Sequence, residues 1–202
     1  MADDPTPYSG LTPDTILDAV ESVGLACDGH LHALNSYENR VYQVGIEDEK
    51  PVIAKFYRPA RWSEEQIAEE HGFAAELDEH EIQVVAPLAF ANRTLHDFGG
   101  FRFALFPRRG GRSPELEDPE VLEWIGRFMG RIHAVGATRP FALRPSLDID
   151  SFGREPRAWL LENNFIPADL REAWTAVAGL ALDGVTRCYE RAGKVGDRKS
   201  VV

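Results

Sequence analysis

Val52-Ile53-Ala54-Lys55-Phe56-Tyr57, with Ser63-Glu64-Glu65-Gln66-Ile67-Ala68-Glu69-Glu70 just after it, limits this chain to few architectures. The first part is a β-type run closed by a lysine. In the second, Ser63 with Gln66 three residues on forms a capping box. The helix it opens places Ile67, Glu70, Ala74 and Leu77 on one stripe, so a carboxylate stands on an otherwise apolar face. Burying that carboxylate unpaired would cost several kcal/mol. Lys55 is the natural partner, because consecutive elements pack together and a helix laid across the sheet brings the two side chains within reach. Glu69 is the alternative partner, and helical phase favours Glu70.

Outward from this pair, the chain reads as a small antiparallel sheet. Thr12-Pro13-Asp14 is an N-cap with proline at the first helical position, and Ile16, Ala19, Val20 and Val23 recur at helical spacing until Gly24. Residues 41–46 and 51–57 read as a hairpin around Glu47-Asp48-Glu49-Lys50, with another strand before it. Residues 84–90 and 101–106 are predicted to be further strands, giving five strands and one intervening helix. After Pro107, Arg108-Arg109-Gly110-Gly111-Arg112-Ser113-Pro114 is too rich in glycine and charge for a sheet and marks the best domain boundary. Beyond it, Val121, Leu122, Ile125, Phe128, Met129 and Ile132 predict one helix. Leu170, Trp174, Val177, Ala181, Val185 and Cys188 predict a second over 168–191. Residues 137–157 are interrupted by proline and predicted irregular. The expected architecture is α+β, with an N-terminal lobe over 1–107 and a partial helical lobe over 108–196.

Composition narrows the function. With 202 residues, 44% of them hydrophobic and 27% charged, the chain can bury a substantial core. A net charge of -11, spread along the chain, argues against nucleic acid as the main partner. Met1-Ala2-Asp3-Asp4-Pro5 has neither a basic start nor an apolar stretch, and no run is long enough to span a bilayer. A cytoplasmic protein with no membrane partner is expected. Cys27 and Cys188 stand in no metal or redox spacing and are expected to be buried thiols.

A strand lysine held by a helix carboxylate is how kinase-type folds grip the phosphates of ATP. In such a fold Asn35-Ser36-Tyr37-Glu38-Asn39-Arg40 occupies the place of the phosphate-covering loop, but it contains no glycine. Small polar residues such as Ser36 can still offer backbone N–H groups to phosphate, and a plain polar hairpin loop explains the same residues. Asp97-Phe98-Gly99 imitates a metal-binding motif but precedes all the later helices, and His96-Asp97-Phe98-Gly99-Gly100 reads as a turn. Asp148-Ile149-Asp150 lacks the companion residues of a catalytic loop. His133 reads as a core or capping histidine, with no ligand at metal spacing beside it.

Leu34-Asn35-Ser36-Tyr37-Glu38-Asn39-Arg40-Val41-Tyr42-Gln43, Lys55-Phe56-Tyr57-Arg58-Pro59, Arg61-Trp62 and Glu69-Glu70-His71 resemble the bacterial stress response kinase A family. Leu11-Thr12-Pro13-Asp14-Thr15-Ile16, Ala86-Pro87 and Gly126-Arg127 with Gly130-Arg131 before His133 share the resemblance. It implies a two-lobe fold similar to aminoglycoside phosphotransferases and choline kinases. The activity implied is that of a cytoplasmic, magnesium-dependent serine/threonine protein kinase of the stress response, with ATP and protein substrates as partners. By the same resemblance Ser36 lies against ATP, Lys55 holds its phosphates, Glu70 orients Lys55, and residues 103–106, ending at Phe106, lead into the hinge beside adenine.

The family continues into a His-Gly-Asp-x-His-x-x-Asn loop, which carries the base and a magnesium ligand, and then into an Asp-rich strand. Here the sequence given runs instead into Gly193-Lys194-Val195-Gly196-Asp197-Arg198-Lys199-Ser200-Val201-Val202. Its last six residues are one translation of GATCGGAAGAGCGTCGTG, a string matching a widely used sequencing-library adapter, so 197–202 is expected to be a non-native tail. The expectation is therefore a truncated kinase, with no catalytic or metal-binding residue in this chain and no turnover. A small-molecule phosphotransferase, a non-catalytic nucleotide-binding module and a plain structural α+β domain are the rival readings.

Overall fold

A computed structural model describes residues 7–192. The predicted tail at 197–202 lies outside them. Two compact units divide the chain, Met1–Val135 and Gly136–Val202.

In the first unit, α1 (Pro13–Glu21) starts where the Thr12 hydroxyl accepts from the Thr15 N–H at 3.2 Å, with proline following the cap. Gly24, at φ +96°, turns the chain out of it. Five strands follow in one antiparallel sheet: β1 (Cys27–Leu34), β2 (Arg40–Ile46), β3 (Val52–Phe56), β4 (His96–Phe98) and β5 (Phe101–Pro107). Their order is β1-β2-β3-β5-β4, which puts β3 at the centre with β5 beside it. Side chains alternate along β3. Val52, Ala54 and Phe56 are buried on one face, while Ile53 and Lys55 are half-buried on the other. The first face packs with Ile16, Ala19 and Val20 of α1 against Val44, Phe103 and Leu105. On the second lie Tyr57, Ala104 and Leu95 with Ile67 of α2 (Glu64–Glu79).

In the first unit two elements differ from the sequence reading. Residues 84–90 form no ladder. Pro87 has no N–H to give, and the segment is held by the Leu88 N–H donating to the Leu105 carbonyl at 2.7 Å and by a local bridge between Phe90 and Arg93. The fifth strand is instead β4, in the stretch predicted to be a turn. The turn is only Gly99-Gly100, with φ +58° and +82°. Two left-handed residues close a tight hairpin and leave His96–Phe98 to pair with Phe101–Phe103.

The sheet ends at Pro107, where the arginine- and glycine-rich loop begins. α3 (Pro119–Gly136) nevertheless groups largely with the first unit, because Phe128, Ile132 and Val135 pack on Phe73 and Leu77 of α2 and on Ile82 and Val84. His133, read as a core or capping residue, is exposed in the last turn of α3.

In the second unit a π-turn (Asp150–Arg154) leads into α4 (Glu155–Glu162), and α5 (Arg171–Ala192) follows. The prediction of irregular chain over 137–157 is corrected from Asp150 onward. Pro156 falls in the first turn of α4, directly after the π-helical turn, and the helix runs on through it. Arg171 ties α5 to the end of α4 by donating to the Leu161 carbonyl at 2.9 Å and to Asn164 Oδ1 at 2.8 Å. The Asp148 carboxylate caps the π-turn through the Ser151 N–H. Cys188 is exposed and Cys27 half-buried, against the expectation of two buried thiols, because α5 buries none of its side chains and β1 is an edge strand.

Candidate nucleotide site

The second face of β3 carries the chemistry. Lys55 Nζ stands 3.4 Å from Glu70 Oε1 and 4.7 Å from the centre of the Tyr57 ring. The lysine points this way because it alternates with Ala54 and Phe56, whose side chains fill the opposite core. The carboxylate meets it because the capping box fixes the start of α2. Ser63 Oγ accepts from the Gln66 N–H at 3.2 Å and Gln66 Oε1 accepts from the Ser63 N–H at 3.0 Å, while Ile67 and Leu77 set which face turns inward.

Around this pair lies a cavity of about 370 Å³, lined by Val41, Ile53, Lys55, Glu70, His71, Ala74, Val85, Pro87, Phe106, Pro107 and Arg109. Three of the four residues implicated by the sequence, Lys55, Glu70 and Phe106, share this lining. Ser36 does not. It is exposed in the loop between β1 and β2, which leads into Val41 on the cavity wall. Apolar walls from Val41, Ile53, Ala74, Val85 and Phe106, with one ammonium at the side, suit a flat heterocycle carrying an anionic tail. The volume lies within the roughly 300–1,000 Å³ of small-molecule sites. For magnesium the fit fails among the described residues, since no group of three or more His, Cys, Asp or Glu side chains comes together there. Asp97 lies on β4 and Asp148 in the π-turn cap, so neither imitation motif forms a metal site.

Sequence reasoning passed over His71, which is only 4% exposed. Its Nε2 lies 2.7 Å from the Tyr57 hydroxyl and its Nδ1 2.8 Å from the Thr94 hydroxyl, so a hydrogen-bonded relay joins the residue after β3, α2 and the segment before β4. The ring also meets Phe106 edge-on, with centroids 6.2 Å apart. The signal was present: His71 is four residues after Ile67 on the inward stripe, and Tyr57 is two after Lys55 on the same face.

Residues 30–190 match the phosphotransferase enzyme family. The chain belongs to that family. Among curated proteins it is similar to "Stress response kinase A" of Salmonella choleraesuis, 42% identical over 189 residues, which are 94% of this chain and 58% of that one. "Serine/threonine protein kinase RdoA" of Salmonella typhimurium matches with the same identity and coverage. "Stress response kinase A" of Escherichia coli is 41% identical over 179 residues, 89% of this chain and 55% of its own. The chain thus spans somewhat more than half the length of these relatives. Two solved structures share the fold. A microcompartment-associated aminopropanol kinase has TM-score 0.63 and 22% identity over 87% of this chain and 57% of that one. The amicoumacin kinase hAmiN, solved with AMP-PNP, Ca2+ and Ami, has TM-score 0.59 and 19% identity over 75% of this chain and 48% of its own. The phosphotransferase fold, α+β with an antiparallel five-stranded sheet, is that of this chain.

Proposed function

We propose that this chain is the ATP-binding portion of a serine/threonine protein kinase of the stress response, acting in the cytoplasm, with residues 1–107 as the nucleotide-binding lobe. The observation that carries the reading is the Lys55–Glu70 pair on the wall of an apolar cavity. Glu70 holds the ammonium at one point, where it meets the α and β phosphates of ATP, while the apolar walls take the adenine and Phe106 lies beside it. In this reading Ser36, exposed in the β1–β2 loop, meets the nucleotide from that loop. The names of the curated relatives support protein serine and threonine hydroxyls as acceptors and a role in stress.

Magnesium would neutralise charge on the phosphates in this chemistry, and the described residues offer no site for it. In this reading the chain binds nucleotide. The compact unit that includes most of α3 ends at Val135, and the lobe boundary proposed at 107/108 falls inside that unit, where the sheet gives way to the loop.

A second reading is a small-molecule phosphotransferase, since the fold is shared with an aminopropanol kinase and an amicoumacin kinase. The experiment that separates the two is phosphate transfer from labelled ATP to protein acceptors and to aminopropanol or aminoglycosides. Transfer to protein serine or threonine supports the first reading. Transfer only to the small molecules overturns it. Binding of ATP without transfer to either leaves a non-catalytic nucleotide-binding module.

A further inference from the structure

We infer that Glu38 is a positioning residue, clamped by Arg61 and Trp62 so that the glycine-free β1–β2 loop keeps the shape that receives nucleotide phosphates. The inference rests on the nucleotide reading above. Phosphate-binding loops ordinarily rely on glycine, whose missing side chain lets the backbone approach the ligand closely. Residues 35–39 have none. Their backbone is instead set by side chains reaching across from two other segments.

Glu38 Oε2 accepts from Arg61 Nε at 3.1 Å, and Glu38 Oε1 accepts from Trp62 Nε1 at 2.9 Å. The Tyr8 hydroxyl donates to the Glu38 carbonyl at 2.9 Å, and Asn39 Oδ1 accepts from the Arg58 N–H at 3.3 Å. Burial pushes the Glu38 carboxyl up, but the hydrogen bonds from Trp62 and Arg61 together with the charges of Arg61 and Arg58 outweigh it and hold the group below the usual carboxylate range. Burial raises the Tyr8 phenol to about 12, so it stays a donor.

The anchor does not drift with the loop. The Trp62 ring packs on the cluster of Tyr57, Ile67 and Leu95, and Arg102 donates to the Trp62 carbonyl at 3.0 Å. The Arg61 guanidinium lies over that ring, 4.8 Å from its centre, in cation–π contact. Asn35, Ser36 and Tyr37 are left facing solvent, and Tyr37 is fully exposed at the tip. Loop and anchor are thus coupled through one carboxylate over 24 residues of sequence. Pre-organising a binding loop removes an ordering cost from each binding event, so loss of the clamp weakens the ligand that the loop touches.

The test combines amide hydrogen exchange with titration of the chain by ATP and by adenosine. Glu38→Ala is expected to speed exchange at 35–39 and to weaken ATP by about tenfold, leaving adenosine affinity unchanged because the base pocket is intact. Glu38→Gln keeps an acceptor for Trp62 and falls between. Trp62→Phe leaves a ring in the core while deleting the indole N–H. It gives the same signature as Glu38→Gln and keeps the test open if Glu38→Ala misfolds. Unchanged exchange at 35–39, or ATP and adenosine affinities falling together, overturns the positioning role. If the unsubstituted chain binds neither ligand, the nucleotide reading fails and this role with it, and the exchange data then show separately whether the clamp holds the loop.

Discussion

Lys55 Nζ and Glu70 Oε1 approach to 3.4 Å across the gap between the central strand and α2, with the two side chains 24% and 35% exposed. An ion pair this open to water contributes about 0–1 kcal/mol to folding. The pair is therefore a weak stabiliser placed on the wall of a cavity, which suits a ligand-facing role better than a structural one. Lys55→Met is expected to leave the melting temperature within about 3 °C of the parent, since about 1 kcal/mol shifts a chain of this size by roughly 2–4 °C. A larger drop in a thermal melt would mean that the lysine is structural.

The Tyr57–His71–Thr94 relay has the opposite balance. His71 is buried, and both its ring nitrogens are hydrogen-bonded, so its removal empties a cavity and breaks two bonds at once. His71→Ala is expected to cost about 2–4 kcal/mol in urea unfolding. Thr94→Val, which deletes one hydroxyl and keeps the shape, should cost about 1 kcal/mol.

α2 carries both Glu70 and His71, so its start matters to the site. Ser63→Ala breaks the capping box and is expected to lower stability by about 1 kcal/mol, read as a lower urea midpoint with unchanged slope. A change in slope would point to altered compactness instead.

His96 supplies a pH dependence. Burial beneath the rings of Phe90 and Phe103, with Arg93 nearby, lowers its pKa below the ordinary 6.5, and Nε2 is buried with no hydrogen-bond partner. Because the folded value is the lower one, protonation favours the unfolded chain. The stability linked to this group is complete above pH 6.5 and is lost as pH falls through the folded value. His96→Leu should flatten the decline in melting temperature just below pH 6.5. An unchanged decline would assign it to other groups.

Much of this was legible in local signals. Thr12-Pro13 and Ser63 with Gln66 announced α1 and α2, and the β-type run over 52–57 put Lys55 on a strand. Helical phase chose Glu70, since it is three residues from Ile67. What escaped depended on partners distant in sequence. The stretch 84–90 has strand composition, but ladder formation depends on which N–H groups find carbonyls, and Pro87 removes one. β4 was hidden because His96-Asp97-Phe98 has turn-like polarity, and only the two left-handed glycines after it force a hairpin. Pro156 looked like a breaker because its position within a helix turn was not visible. Glu38, Arg61 and Trp62 stood in stretches singled out for their resemblance, yet their contact could not be read without the fold that brings residues 38 and 62 together.

The nucleotide assignment stands or falls on the thermal shift of this chain on adding ATP, compared with that of Lys55→Met. At about 100 times Kd, a ligand bound only by the folded state adds roughly 2.7 kcal/mol. The expected result is an upward shift of about 5–10 °C for the parent and little or none for Lys55→Met. Equal shifts in the two proteins, or none in the parent, would contradict the assignment of Lys55 and its cavity to nucleotide binding.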